Sequence, residues 1–266
     1  MKLYAIGLGP GDMEYLAPRA RNAILQSDVI VGYTGYVELI PDLAGGKQII
    51  STGMTGEAKR CEAAIAEALK GKQVCVVSSG DAGVYGMAGL LYELAEKHPD
   101  IEIEVIPGIT AAVSAAAILG SPLTNDFAVI SLSDLLTPWD VIEKRLDAAS
   151  MADFVLCLYN PQSKKRSDHL EKACGIALRY KPPETMCGYV RNAYRGADRG
   201  ADQGADRGAD QGADQGADRG ADQECRICTL SELREAQVDM LTTVIIGNSG
   251  TRIINGKLVT VRGYDI

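Results

Sequence analysis

The chain has 266 residues, 46% of them hydrophobic and 5% aromatic, which is enough apolar material for one large or two modest soluble domains. Its formal charge of −8 argues against a nucleic-acid-binding protein, which would need a basic stripe on its surface. No apolar run approaches the length of a membrane span, and the N-terminus lacks the pattern of a signal peptide, so we expect a cytoplasmic protein with no membrane partner.

The first part of the chain alternates between short apolar runs and helical patterns. Strands are predicted at residues 2–9, 28–31, 48–50, 73–77 and 101–106. Helices are predicted at residues 16–26, 57–69 and 87–94, and residues 107–111 are predicted to turn into a small-residue helix that ends at Leu119. This alternation predicts an α/β domain built on a parallel sheet. We expect that domain to span residues 1–120, with a linker at residues 119–124.

Residues 78–86 read Ser-Ser-Gly-Asp-Ala-Gly-Val-Tyr-Gly and stand between a predicted strand and a predicted helix. Open α/β sheets bind their ligands at such turns. Gly80, Gly83 and Gly86 allow unusual backbone angles or the close approach of a ligand. A plain tight turn would need fewer glycines, so the pattern favours a small-molecule site over simple packing of the helix on the strand.

The first strand ends in another glycine-rich loop, Gly-Leu-Gly-Pro-Gly-Asp at residues 7–12. Its spacing does not match the dinucleotide fingerprint, and Pro10 lacks the backbone donor that a pyrophosphate would need. Both features disfavour a nicotinamide-binding oxidoreductase. After the second strand, Tyr33 and Tyr36 could line a flat ligand or pack beneath the next helix.

A second α/β domain is expected over residues 121–266. Strands are predicted at residues 127–131, 154–159, 185–191, 224–230 and 241–247. Thr137 is predicted to cap a helix whose first residue is Pro138. A further helix is expected to end near residue 180. The Asn255-Gly256 pair predicts a hairpin with a type I′ turn.

From Arg195 to Asp222 the chain repeats the tetrad Arg/Gln-Gly-Ala-Asp seven times, and we place an insertion at about residues 196–222. The repeats have little to bury and no amphipathic period, so they cannot offset the entropy of ordering. We predict a disordered low-complexity insertion between two strands.

The seven cysteines are odd in number and scattered, which disfavours a disulfide framework. Cys225 and Cys228 lie in a strand-like pattern, where residues three apart face opposite sides. We therefore expect no metal or redox site there, and no metal elsewhere.

Five short motifs stand in order along the chain. They are Gly9-Pro10-Gly11-Asp12, Ser79-Gly80-Asp81, Pro107-Gly108-Ile109-Thr110-Ala111, Tyr159-Asn160-Pro161 and Thr242-Thr243-Val244-Ile245-Ile246-Gly247. Together they resemble the tetrapyrrole methylase family of S-adenosylmethionine-dependent enzymes. Residues 78–89 and 130–139 resemble those members of the family that methylate C17 of the macrocycle. The match covers nearly all of the chain outside the tetrads.

The resemblance implies two α/β domains with the active site in the cleft between them, a homodimer, and S-adenosylmethionine as the cofactor. It implies methylation of C17 of precorrin-3B or cobalt-factor III, with contraction of the ring, in cobalamin biosynthesis. A sister precorrin methyltransferase acting at another carbon is the nearest alternative. A ribosomal-RNA methyltransferase of the same fold is disfavoured by the acidic charge balance.

The resemblance also assigns residues to the cofactor. By position these are Pro10, Ser79, Gly80, Asp81, Val84, Tyr85, Thr110, Ala111, Tyr159, Asn160, Arg191, Asn192 and Thr243. Attack of an electron-rich ring carbon on a sulfonium methyl needs placement and exclusion of water, and no protein nucleophile. Ring contraction also needs proton transfers, for which Asp81, Ser131 and Asp134 are candidates; capping and turn formation are the alternative roles.

A tetrapyrrole substrate carries several carboxylates, so its site must gather cations even in an acidic protein. Lys164, Lys165 and Arg166 form the densest cationic group outside the repeats, at the predicted start of a helix. Cations are locally unfavourable at that end of a helix because of the helix dipole. We therefore expect these three residues to bind substrate carboxylates, with Arg191 and Arg195 as secondary candidates and Tyr33 and Tyr36 as further contacts.

Overall fold

The computed structural model describes residues 1–53, 55–163, 166–195 and 223–264. The predicted insertion at 196–222 and the predicted substrate ligands Lys164 and Lys165 lie outside the described residues. Within the described part, the chain forms two units. The first contains Met1–Ala111 with Tyr194 and Arg195, and the second contains Ala112–Ala193 with residues 223–264. None of the described helices is both long enough and apolar enough to cross a lipid bilayer.

The first unit is built on a five-stranded parallel sheet in the order β3-β2-β4-β1-β5. Its strands are β1 (Lys2–Gly7), β2 (Val29–Tyr33), β3 (Gln48–Thr52), β4 (Val74–Ser78) and β5 (Glu102–Ile106). Its helices are α1 (Pro18–Gln26), α2 (Thr34–Val37), α3 (Pro41–Ala44), α4 (Glu57–Leu69) and α5 (Ala88–Ala95), with a single 3₁₀ turn at Met13–Tyr15. All five strands predicted for this part of the chain are confirmed.

Helices cover both faces of this sheet, which explains why its three inner strands, β1, β2 and β4, are almost continuously apolar. Along β1, Leu3 and Ala5 pack into the core under α4 and α5, whereas Tyr4 and Ile6 pack on the opposite face with α1. The chain thus leaves the neighbouring strands β1 and β4 toward opposite faces. That arrangement creates a topological switch point at their carboxyl ends, where open α/β sheets bind ligands.

The second unit has a mixed five-stranded sheet in the order β10-β9-β11-β8-β7. Its elements are α6 (Ala111–Leu119), β6 (Gly120–Ser121), β7 (Phe127–Ser131), α7 (Trp139–Met151), β8 (Val155–Tyr159), α8 (His169–Ala177), β9 (Met186–Arg191), β10 (Glu224–Thr229), α9 (Leu230–Arg234), β11 (Thr242–Ile246), β12 (Thr251–Ile254) and β13 (Lys257–Thr260). Strand β7 runs parallel to β8, and β11 runs antiparallel to both β8 and β9. The ends of β7, β8 and β9 therefore share one edge with the start of β11.

Helix α6 packs on this second sheet, and the two units divide between Ala111 and Ala112, at the start of this helix. Ala112, Ala115 and Leu119 lie in one core cluster with residues of β8, β9 and β11. Gly188 makes room for this helix, because a Cβ there would lie 2.7 Å from the Leu119 side chain. The predicted linker contains β6, which pairs with β13.

Two turn predictions had different outcomes. The hairpin is confirmed: Asn255 and Gly256 join β12 to β13 with φ values of 50° and 75°, the positive angles that a type I′ turn requires. The predicted cap at Thr137 is wrong, because α7 begins at Trp139 and Pro138 occupies the N-cap position with ψ of 145°. The fixed φ of proline suits both positions, so the sequence did not distinguish them.

Cys225 and Cys228 lie on opposite sides of β10, as predicted. Cys225 is exposed and Cys228 is buried. Burial raises the pKa of the Cys228 thiol to about 11, which keeps it protonated and unreactive near neutral pH.

Candidate functional site

The loops after β1 and β4 meet at the switch point of the first sheet. The Gly9 amide donates to the Gly80 carbonyl at 3.0 Å, and the Gly80 amide donates back to the Gly9 carbonyl at 2.7 Å. The Leu8 amide donates to the Ser78 carbonyl at 2.8 Å. Two loops that the sequence singled out separately are therefore joined through their backbones.

Glycines let a third loop, after β5, come equally close. A Cβ on Gly108 would lie 2.2 Å from the Gly80 carbonyl oxygen, and one on Gly7 would lie 2.7 Å from the same atom. A Cβ on Gly80 itself would meet Thr110 and Ala111 only at ordinary contact distances of 3.6 and 3.7 Å. Gly80 has φ of +69°, a conformation that favours glycine. Gly7 and Gly108 thus serve close packing, whereas the space beside Gly80 adjoins two predicted cofactor residues.

The Asp81 carboxylate joins the β4 and β5 loops. Its Oδ1 accepts the amides of Gly83 (2.8 Å) and Val84 (3.1 Å), and its Oδ2 accepts the Gly108 amide at 2.9 Å. Both oxygens are therefore engaged by backbone donors. This network was not visible in the sequence, which indicated Asp81 only as a member of a motif.

The remaining predicted cofactor residues of the first unit surround these loops. Pro10 is buried, Ser79 and Thr110 are half-buried, and Val84 and Tyr85 are exposed. Tyr85 has φ of +55°, the left-handed region that a bulky residue seldom adopts. Such a conformation costs about 1 kcal/mol or more and is frequent at functional sites.

Tyr194 and Arg195, the last residues described before the predicted insertion, contact the first unit at the same loops and at Tyr15. Arg195 Nε donates to the Pro10 carbonyl at 3.1 Å, and its Nη2 donates to Ser79 Oγ at 2.7 Å. The ring of Tyr194 contacts that of Tyr15, with centroids 4.4 Å apart. Sequence reasoning predicted Arg195 as a substrate ligand and missed these contacts, because its partners lie far away along the chain.

Tyr33 and Tyr36 follow β2 and contact one another edge to face, with ring centroids 5.1 Å apart. Tyr36 also packs against the core beneath α1. Burial raises the pKa of the Tyr36 hydroxyl, and the nearby Arg195 charge partly opposes this effect. Tyr36 therefore packs against the core, and contact of the tyrosine pair with a flat ligand stays a prediction.

The predicted residues of the second unit line up along one edge of its sheet. Ser131 is paired with Tyr159 at the ends of β7 and β8, and Thr243 is paired with Val190 of β9. The Tyr159 hydroxyl oxygen accepts the Ala112 amide at 2.7 Å and so caps α6. Asn192 and Thr243 are buried.

The loops after β7 and β8 are joined by side chains. Asn160, with φ of +52°, donates from Nδ2 to Ser131 Oγ at 3.0 Å. The Ser133 amide donates to the same oxygen at 3.2 Å. Ser131 is therefore held between the two loops.

Arg166 extends this side-chain network. Its Nη1 donates to Ser133 Oγ at 2.5 Å, its Nε donates to Ser163 Oγ at 3.1 Å, and Asp134 Oδ1 lies 3.8 Å from Nη1. The Arg166 side chain is only 15% exposed. Arg166, which the sequence predicted as a substrate ligand, thus uses two of its donors to hold these loops together.

His169 lies beneath the Arg166 network and is buried. Its Nδ1 lies 2.8 Å from the Leu132 carbonyl, and its Nε2 lies 3.7 Å from Asp134 Oδ2. The ring packs on Trp139, with centroids 4.6 Å apart. The histidine therefore supports the loop that carries Asp134.

Arg191, a cofactor candidate and a secondary substrate candidate, forms an ion pair with Asp239 at 2.6 Å.

Among the described residues, no group of three or more His, Cys, Asp and Glu side chains is arranged to hold a metal ion.

Comparisons with known proteins agree along the chain. The family model described as tetrapyrrole (corrin/porphyrin) methylases matches residues 2–195. The chain is 46% identical over 268 residues to a Priestia megaterium protein named cobalt-factor III methyltransferase; the alignment covers 99% of the chain and 45% of that relative, so the chain spans less than half of its length.

Two further comparisons cover both partners almost completely. A Salmonella typhimurium LT2 protein named probable cobalt-factor III C(17)-methyltransferase is 42% identical over 265 residues, covering 99% of the chain and 100% of that relative. The crystal structure of the methyltransferase CobJ has a TM-score of 0.81 and 33% identity, covering 97% of the chain and 99% of that structure.

Proposed function

We propose a specific reaction on one premise: the chain belongs to the tetrapyrrole (corrin/porphyrin) methylase family. The reaction is transfer of a methyl group from S-adenosylmethionine to C17 of cobalt-factor III or precorrin-3B, with contraction of the ring, in cobalamin biosynthesis. The observation that carries this proposal is the 42% identity to a relative of that name along the whole of both chains. We further propose that the enzyme acts as a cytoplasmic homodimer.

The residues at the switch point of the first sheet fit S-adenosylmethionine. The backbone at Gly80 is free of side-chain atoms and adjoins Thr110 and Ala111 without a clash. The surrounding loops are held in advance by Asp81 and by Arg195, so little ordering is required on binding. When bound, S-adenosylmethionine supplies an electrophilic methyl group on a sulfonium sulfur. The protein must therefore orient the macrocycle carbon toward this methyl group and exclude water from the site.

The three acid–base candidates differ in how tightly they are held. The Asp81 oxygens are occupied by three backbone amides, which suits a positioning residue. The Asp134 carboxylate is 38% exposed and lies 3.8 Å from the Arg166 guanidinium and 3.7 Å from His169 Nε2, too far for strong hydrogen bonds. Asp134 is therefore the candidate best suited to exchange a proton, with Ser131 three residues earlier at the end of β7.

For the substrate, we propose contacts from Arg166 and the neighbouring Lys164 and Lys165, together with Tyr33 and Tyr36. Arg166 is held by two serine hydroxyls, which fix the direction of its guanidinium. A fixed guanidinium recognises carboxylates with less entropic loss than a free one.

The test uses purified full-length protein with ¹³C-methyl S-adenosylmethionine. Cobalt-factor III, precorrin-3B and a later precorrin are incubated in parallel, and the products are analysed by mass spectrometry and NMR. We expect one added methyl group with its ¹³C signal at C17 of a ring-contracted product from one of the first two substrates. A methyl group at another carbon would overturn the proposal in favour of a sister methyltransferase, and no transfer to any macrocycle would overturn it altogether.

A further inference from the structure

The Arg195 guanidinium is fixed at the switch point of the first sheet. Its Nε and Nη2 donate to the Pro10 carbonyl and to Ser79 Oγ, which belong to two different loops. These two bonds set both the position and the plane of the group. Gly11 contributes room, because a Cβ there would lie 3.2 Å from Arg195 Cγ.

The acceptors of Arg195 are neutral, in contrast to those of Arg191 and Arg179. Arg191 is paired with Asp239, and Arg179 with Glu143 and Asp147. In the part of the chain that the structure describes, no carboxylate lies within ion-pair distance of Arg195. A half-buried guanidinium without a counter-ion is costly to maintain, which points to a charged ligand.

Arg195 also has donors to spare. An arginine has five N–H groups. Among the described residues, Pro10 and Ser79 accept from two of them, and the other three, including both on Nη1, have no acceptor there. Adjacent N–H groups of a guanidinium match the two oxygens of a carboxylate. The positive charge of Arg195 also acts on the Tyr36 hydroxyl: it lowers the pKa of that hydroxyl, whereas burial raises it. This charge therefore acts on the loops at which a ligand is expected.

We infer that Arg195 forms a carboxylate-binding site at the switch point, held in place by Pro10 and Ser79. The inference rests on the proposed function for its ligand, which is either the carboxylate of the methionine end of S-adenosylmethionine or an acetate or propionate of the macrocycle. Both sources present the same chemistry to the guanidinium.

The experiment compares wild type, Arg195→Gln, Arg195→Lys and the control Arg179→Gln, which makes the same change in net charge at a surface ion pair. Calorimetry at low ionic strength measures binding of S-adenosylhomocysteine and of 5′-methylthioadenosine, which lacks the amino-acid end. Steady-state assays with cobalt-factor III measure the KM of the macrocycle.

If the ligand is the cofactor carboxylate, Arg195→Gln weakens S-adenosylhomocysteine binding about tenfold or more and leaves 5′-methylthioadenosine binding unchanged. If the ligand is a macrocycle carboxylate, cofactor binding is unchanged and the KM of cobalt-factor III rises about tenfold. In either case Arg195→Lys restores part of the loss and Arg179→Gln behaves as wild type.

Two results would overturn the inference. One is an Arg195→Gln variant with wild-type values in every assay. The other is an equal loss for both nucleosides, which would mean that Arg195 only holds the loops. Failure of the proposed function is a separate result, because wild-type protein would then not methylate the macrocycle at C17.

Discussion

The two units hold their site loops by different means. In the first unit the loops after β1, β4 and β5 touch through backbone atoms, because Gly7 and Gly108 have no side chains, and the Asp81 carboxylate adds one further link between the β4 and β5 loops. In the second unit the loops after β7 and β8 are joined by side chains, chiefly those of Asn160 and Arg166. Backbone packing tolerates almost no added atom, whereas a side-chain network loses one contact at a time. The comparison leads to four predictions, in order of decreasing expected effect.

The largest effect is expected for Gly108→Ala in the first unit. The new Cβ would lie 2.2 Å from the Gly80 carbonyl oxygen, and backbone atoms on both sides prevent relief. We expect a loss of about 3 kcal/mol or more in the free energy of unfolding, measured by urea denaturation.

Gly89→Ala is the matched control for Gly108→Ala. Apart from the backbone of α5 itself and the adjoining residues, no atom lies within 4 Å of a Cβ at this position. Alanine should therefore stabilise the protein by about 0.5–1 kcal/mol through its helix propensity. Equal stabilities for the two variants would refute the account of the first unit as packed backbone.

A smaller effect is expected for Asp81→Asn. Asparagine keeps one acceptor oxygen and so cannot accept from both the Gly83–Val84 side and the Gly108 amide. We expect a cost of about 2 kcal/mol, divided between stability and affinity for S-adenosylhomocysteine. If calorimetry shows unchanged affinity while catalysis is lost, Asp81 is an acid–base residue and not a positioning residue.

The same contrast limits what sequence alone can predict. The glycine-rich loops of the first unit could be predicted because close backbone contacts require glycines, and a run of glycines next to a strand is recognisable in the sequence. The side-chain contacts left no such mark: Arg166 bonds Ser133 and Arg195 bonds Ser79, and only the fold brings these pairs together. Strands were predicted well because both faces of a parallel sheet are apolar. The place of α6 was not, since an Ala-rich helix fits either sheet.

In the second unit, Arg166→Lys should cost less than either first-unit change. Lysine keeps the positive charge but cannot reach Ser133 and Ser163 with two fixed donors. We expect a loss of about 1 kcal/mol in the free energy of unfolding. Arg179→Lys, at an exposed ion pair, should stay within about 0.5 kcal/mol of wild type. If Arg166→Lys lowered the free energy of unfolding as much as Gly108→Ala, the two units would not differ in how their loops are held.

The smallest effect concerns acid sensitivity, which side-chain hydrogen bonds confer and backbone packing does not. At the start of α9, Thr229 and Glu232 form a capping box, with Glu232 Oε2 accepting the Thr229 amide at 2.8 Å. The backbone amide and the hydroxyl of Thr229 lower the pKa of the Glu232 carboxyl. A lowered pKa in the folded state gives stability that is present above the ordinary value near about 4.3 and is lost as the pH falls through the lowered one.

Glu232→Gln separates this charge effect from geometry, because glutamine also completes a capping box. The variant should be slightly less stable than wild type at about pH 7, and the difference should shrink toward zero as the pH falls to about 3, since only the wild-type side chain titrates. Urea denaturation across that range measures the difference. The control is Glu235→Gln, whose side chain takes no part in the box. A stability difference that stays constant with pH would mean that geometry, and not the charge of Glu232, stabilises the start of this helix.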